Sequence, residues 1–168
     1  MFIKVLVCSI MLVCTLSLSE AGTLSKEGAQ ACLTNNAKKS IAKPEITSQL
    51  LIMPAIMSRT IDNWDQLEQS ERNILEKTAD KLIVTMVKKN GRDYKNFIIV
   101  VKETQSRSKS DVTVATGTAS AGGFFGVSFS VDLYDTCKMS NIEVTFLLWQ
   151  GTIQKWLRKQ GAINGTEW

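Results

Sequence analysis

Few residues in this chain are of types that could do chemistry, and their spacing narrows them further. There is no histidine, which removes Ser-His-Asp and Cys-His catalysis, His-ligated zinc and histidine proton switches together. Asp62 and Asp65 stand close in a Asp-Asn-Trp-Asp stretch. Paired carboxylates can share acid–base work, but in a loop leading into a helix they read as caps. Gly117 to Gly126 is rich in glycine but lacks a P-loop lysine, so its Thr-Ala-Ser-Ala-Gly-Gly run reads as a turn between strands rather than a phosphate cradle. Lys88, Lys89, Arg92 and Lys95 form a basic cluster that suits either a solvated helix end or contact with anionic head groups. Asn164-Gly165-Thr166 is a glycosylation acceptor only in a eukaryotic host. No nucleophile–base pair, metal-ligand set or cofactor motif emerges, so the expectation is a protein that is not an enzyme and carries no metal or cofactor.

Cysteines are four, at positions 8, 14, 32 and 137, and none forms a Cys-x-x-Cys pair. The first two fall within a targeting segment. Lys4 supplies a positive start, Val5 to Leu18 is an apolar run of secretory length, and Ser19-Glu20-Ala21 places small residues where a signal peptidase reads. The run is short for a bilayer span, and Leu12-Val13 lacks the small residue a lipoprotein needs before Cys14. Residues 1–21 are therefore expected to be a signal peptide and 22–168 a single exported domain. Cys32 and Cys137 then remain in an oxidising compartment. They are either a bridge closing a ring of 106 residues or two separately buried thiols; the sequence leaves both open. The charge excess of +4 is too small and dispersed to suggest nucleic acid.

The elements that must position these residues follow from periodicity. Ser25 to Ser40 is weakly helical and polar. Ile46 to Ile61 is apolar nearly all round, with no charge between Glu45 and Arg59, and Pro54 must kink or interrupt it. Gln69 to Lys89 carries Ile74, Leu75, Ala79, Leu82, Ile83, Met86 and Val87 as one helical stripe, ended by Asn90-Gly91. The period then changes to two. Phe97 to Val101, Asp111 to Thr118, Phe125 to Leu133 and Ile142 to Phe146 read as four strands of an antiparallel meander, with Gly126 a bulge or strong bend. Trp149, Ile153, Trp156 and Leu157 put a stripe on a short terminal helix. Helices first and a bent sheet second predict an α+β domain with helices on one sheet face. The space between the layers is offered Leu50, Met53, Met57, Phe125, Val127, Phe129, Val144 and Phe146. These are the candidate walls of an apolar ligand site, and they are equally the residues that would fill a closed core.

Three segments resemble the MlaC family, also called toluene-tolerance auxiliary proteins. Trp64 followed by Arg72, ahead of the long helix, looks like that family's loop-to-helix step. Cys137-Lys138-Met139-Ser140-Asn141-Ile142-Glu143-Val144 resembles its last strand, and Trp156 to Gly165 its closing helix and glycine-rich step. The likeness spans roughly residues 45 to 165. It implies a cone-shaped fold, similar to NTF2 and cystatin, and a periplasmic carrier auxiliary to an ABC transporter. Such a carrier holds phospholipid acyl chains and ferries them between inner- and outer-membrane lipid-transport complexes. The competing expectation is a secreted interaction module of the same shape, with a closed core and no lipid.

Overall fold

The computed structural model describes residues 23–90, 96–107, 111–121, 126–147 and 149–160. The signal peptide, Phe125, Arg92, Lys95 and the Asn164 acceptor lie outside the described residues.

The fold is α+β. Helix α1 (Lys26–Ala42) begins where the Ser25 side chain accepts a hydrogen bond from the Gly28 amide, an N-cap that closes one of the orphan donors of the first turn. Its buried residues, Ala29, Cys32, Leu33 and Asn36, recur every three to four positions and lie against the sheet. A 3₁₀ helix (Pro44–Leu50) and a short helix α2 (Met53–Ser58) follow. Of the kink or interruption expected at Pro54, the structure shows an interruption, placed just before it. Leu51 is extended and forms a parallel bridge with Met139, while the Ile52 amide donates to the Met139 carbonyl at 2.8 Å. Pro54 therefore falls in the first turn of α2, where its missing N–H costs nothing. Helix α3 (Gln69–Asn90) is the long amphipathic helix.

The sheet corrects the expected strand count: it has five strands, in the order β1 (Phe97–Ser106), β2 (Val112–Ala121), β3 (Val127–Tyr134), β4 (Met139–Phe146) and β5 (Trp149–Thr152), all antiparallel neighbours. Trp149 was expected on the terminal helix. It instead pairs with Phe146 in β5, because the Thr152 side chain caps the Lys155 amide and starts helix α4 (Ile153–Lys159) four residues later than the apolar stripe suggests. Leu147, at φ 51°, takes the left-handed conformation that turns β4 towards β5.

Gly126 is not a bulge; it precedes β3. The irregularities lie between Val101 and Glu103 on β1 and between Asp132 and Leu133 on β3. The glycine that matters is Gly117. A Cβ there would fall on the Val100 carbonyl oxygen and within 2.8 Å of the Phe129 ring, so β1 and β2 approach so closely only because that side chain is absent.

The core has two parts. One gathers Met53, Ile56 and Met57 of α2, Ile61, Trp64, Ala79 and Ile83 of α3, and Leu157 of α4. The other joins Ala29, Cys32 and Leu33 to the inner sheet face at Val101, Ala115, Val131 and Leu133. Met139 and Ile142 pack against both. Cys32 and Cys137 are disulfide-bonded, their Cα atoms 5.3 Å apart. The bridge ties α1 to the turn between β3 and β4, where Cys137 sits at φ 61° and the Asn36 amide donates to its carbonyl at 2.7 Å.

Candidate functional site

The inner sheet face is built from alternate residues in register: Ile99 opposite Ala119, Ala119 opposite Val127, Gly117 opposite Phe129, Phe129 opposite Val144 and Val131 opposite Ile142. On β2 that face reads Thr113, Ala115, Gly117, Ala119, and the larger Val112, Val114 and Thr116 take the opposite parity. A central strand with small inward residues leaves space that its neighbours' side chains do not fill.

Two apolar hollows occupy this region. The larger, about 370 Å³, lies between the C-terminal halves of α1 and α3 and the start of β1. Ala37 and Ile41 of α1, Met86 and Val87 of α3, and Phe97 and Ile99 of β1 form its walls, with Ala119 beneath. Ser40 and Asn90 are its polar margin. The smaller, about 160 Å³, extends along the sheet under Leu33, over Val127, Phe129, Val144 and Ile142. Ile99 and Ala119 line both. The hollows are thus neighbours that share a wall.

The eight candidate wall residues separate on the structure. Val127, Phe129 and Val144 line the smaller hollow. Met53 and Met57 line neither of these two hollows; they are buried in the α2–α3–α4 core. Helix α2 buries Met53, Ile56 and Met57 against α3, α4 and β4, while Pro54 and Ser58 face solvent. Leu50 is half-buried at the end of the 3₁₀ helix and lines neither hollow. Phe125 lies outside the described residues, and Phe146 is placed on β4 by its backbone only. The cavity residues missed from sequence are Ala37, Ile41, Met86, Val87, Phe97, Ile99 and Ala119. Their signal was the small-residue parity of β2 and the last turn of two helices.

Polar interactions fix the hollow's surroundings. The Gln30 amide of α1 donates to the Ile99 carbonyl at 2.6 Å and its oxygen accepts from the Val101 amide at 2.7 Å. It thereby takes the place a neighbouring strand would have along β1. At the far end of α3, Arg72 stacks 5.8 Å from the Trp64 ring centroid and donates to the Asp65 and Leu67 carbonyls, locking the loop that precedes the helix. Lys88 pairs with Glu45 at 2.7 Å and holds that carboxyl below its ordinary range, so this member of the basic cluster is engaged with protein. Burial pushes the Glu76 carboxyl up. Asp62 accepts from Arg158 and the Asp65 backbone carbonyl from Arg72, so both help anchor their neighbours.

Among the described residues no group of His, Cys, Asp or Glu could hold a metal ion, and no helix is long and apolar enough to cross a membrane. Comparison of the chain with protein-family models, with curated proteins and with solved structures returned no match.

Proposed function

We propose that this protein is an exported phospholipid-binding carrier that takes up acyl chain between its helices and sheet, as its resemblance to the MlaC family implies. The observation that supports this reading is the pair of adjoining apolar hollows walled by Ile41, Met86, Phe97, Ile99 and Phe129. If a methylene takes about the room of one water molecule in the liquid, roughly 30 Å³, the larger hollow holds about a dozen. The two together then suit one chain rather than two. At about 0.8 kcal/mol per buried CH₂, a dozen methylenes contribute on the order of 10 kcal/mol before the cost of immobilising the ligand. Methionine at position 86 suits a chain of variable shape, since its side chain repacks readily. Shuttling between inner- and outer-membrane lipid-transport complexes in the periplasm is the role proposed for such binding.

Native mass spectrometry of protein purified without detergent tests it. Co-purifying phospholipid, lost in Ala119→Phe, is the expected result, because Ala119 lines both hollows. A lipid-free protein that also fails to take up labelled phospholipid sinks the carrier. It leaves the interaction module with a closed core, for which the burial of Met53 and Met57 already speaks.

A further inference from the structure

A second cleft, of about 500 Å³, lies at the other end of the strands. Ile99 lines the apolar hollow and Arg107 the cleft. Eight residues of strand at roughly 3.3 Å each place their backbones about 25 Å apart. The cleft is lined by Arg59, Arg107, Lys155 and Arg158, together with the neutral polar residues Asn141, Thr152 and Gln154. Among the described residues no carboxylate lines it.

The guanidinium groups are held in place from beneath. Asp132, only 1% exposed, uses one oxygen, Oδ2, to accept from both Arg59 and Arg107, each at 3.1 Å. Arg158 donates through Nε to the Thr60 carbonyl at 2.8 Å and through an Nη to exposed Asp62 at 3.2 Å. Arg59 and Arg158 stay about half exposed, so part of each of their five-donor forks is left for the cleft, and Arg107 is exposed to a similar degree beside them. Lys155 stands three residues before Arg158 on α4, hence on the same helix face. Gln154, buried, donates to the Asn141 side chain and fixes the neutral side of the cleft. Among the described residues, these four cations and the carboxylates of Asp132 and Asp62 sum to two positive charges. Glu143, two residues along β4 from Asn141, is held by the Gln150 amide and is not part of the lining.

We propose that this cleft is an anion site for a phosphate monoester group, held by Arg59, Arg107, Lys155 and Arg158. A phosphate monoester carries about −1.5 to −2 charges at neutral pH and three acceptor oxygens, which matches both the charge excess and the convergent donors. Arginine forks suit it geometrically and the lysine adds a point charge. The group can belong to a soluble phosphate compound or to an exposed lipid head group, and the chemistry of recognition is the same.

The full chain is titrated with inorganic phosphate by calorimetry and ³¹P line broadening. The expected result is saturable one-to-one binding that weakens as salt rises, falls several-fold in Lys155→Gln and also falls in Arg158→Lys. Lys159→Gln, on the same helix but outside the lining, leaves binding unchanged. Lys155 makes no side-chain hydrogen bond or ion pair among the described residues, so its variant keeps the fold, which thermal melting verifies. Sedimentation with phosphatidylcholine vesicles, with and without phosphatidic acid, distinguishes the sources. Retention on the mixed vesicles that inorganic phosphate displaces assigns a head group, and phosphate binding without retention assigns a soluble compound. Absence of saturable phosphate binding, or equal binding in wild type and Lys155→Gln, overturns the proposal. Failure of the lipid-carrier reading would leave these results untouched, because Ala119→Phe alters only the other end.

Discussion

Replacing Cys32 and Cys137 together by alanine opens a ring of 106 residues without leaving an unpaired thiol. The loop-closure entropy released to the unfolded chain is about 16 cal/mol/K for a ring of that size, or roughly 4.7 kcal/mol at 25 °C. Domains of this kind are stable by about 5–15 kcal/mol, so the loss is a third or more of the total. The native contacts of α1 do not depend on the bridge alone. Ala29 and Leu33 remain packed on Val101 and Val131, and Gln30 and Asn36 keep their bonds to the sheet and the β3–β4 turn. The variant should therefore fold, with a urea midpoint lowered in proportion and a Tm lower by roughly 10–20 °C. Equilibrium urea unfolding, followed by tryptophan fluorescence, measures this in the variant and in oxidised wild type. Wild type in excess reductant should approach the variant's curve. A difference below about 1.5 kcal/mol with an unchanged m value would refute the reasoning, since it would mean that the unfolded chain gains little freedom from the open ring.

Gln30→Ala removes the side chain that satisfies the Ile99 carbonyl and the Val101 amide. Both groups are part-buried, so a loss of about 1–3 kcal/mol in urea unfolding is expected. Gly117→Ala drives a methyl into the Val100 carbonyl and the Phe129 ring. It should destabilise by about 1–3 kcal/mol and shift the Val100 and Thr118 amide resonances as β1 moves off β2. Glu76 is held above its ordinary pKa by burial. Its folded state therefore keeps a proton that the unfolded chain gives up, and the penalty for its charge is absent at low pH and grows as pH rises through its folded pKa. Glu76→Gln should raise the urea midpoint at neutral pH and leave it nearly unchanged below the carboxylate range.

The long helix was legible because its signals agreed: an apolar stripe over Gln69–Asn90, acids before it and lysines at its end. The β1 strand was equally plain from Phe97 to Val101, although Ile98 remains 63% exposed on the outer face, since hydrophobicity alone does not say which side is covered. The fifth strand was hidden because Trp149 and Ile153 are four apart, as on a helix, while Thr152 is at once the last residue of the strand and the cap of the helix. The cavity was harder. Bulky residues of β3 drew attention to the right face at Phe129, yet a hollow is made by what is missing. Ala115, Gly117 and Ala119 on β2 contribute their smallness, not a recognisable motif. The basic cleft was beyond reach for a different reason: Arg59, Arg107 and Arg158 are far apart in the chain and are gathered by the fold, with Asp132, the Thr60 carbonyl and Asp62 among their partners.

The Gln30 clamp has a consequence for solubility. β1 is the edge of the sheet, and its Phe-Ile-Ile-Val-Val run is uncharged and strongly β-forming, the composition that recruits further copies edge to edge into fibrils. In the folded protein a glutamine amide sits on the Ile99 and Val101 backbone groups, so an incoming strand finds them taken. The guard belongs to α1, however, and exists only once that helix has docked. Until then a newly made chain with its meander formed would present a sticky template to its neighbours. α1 is thus a built-in chaperone for β1, and the bridge from Cys32 fastens the guard in place.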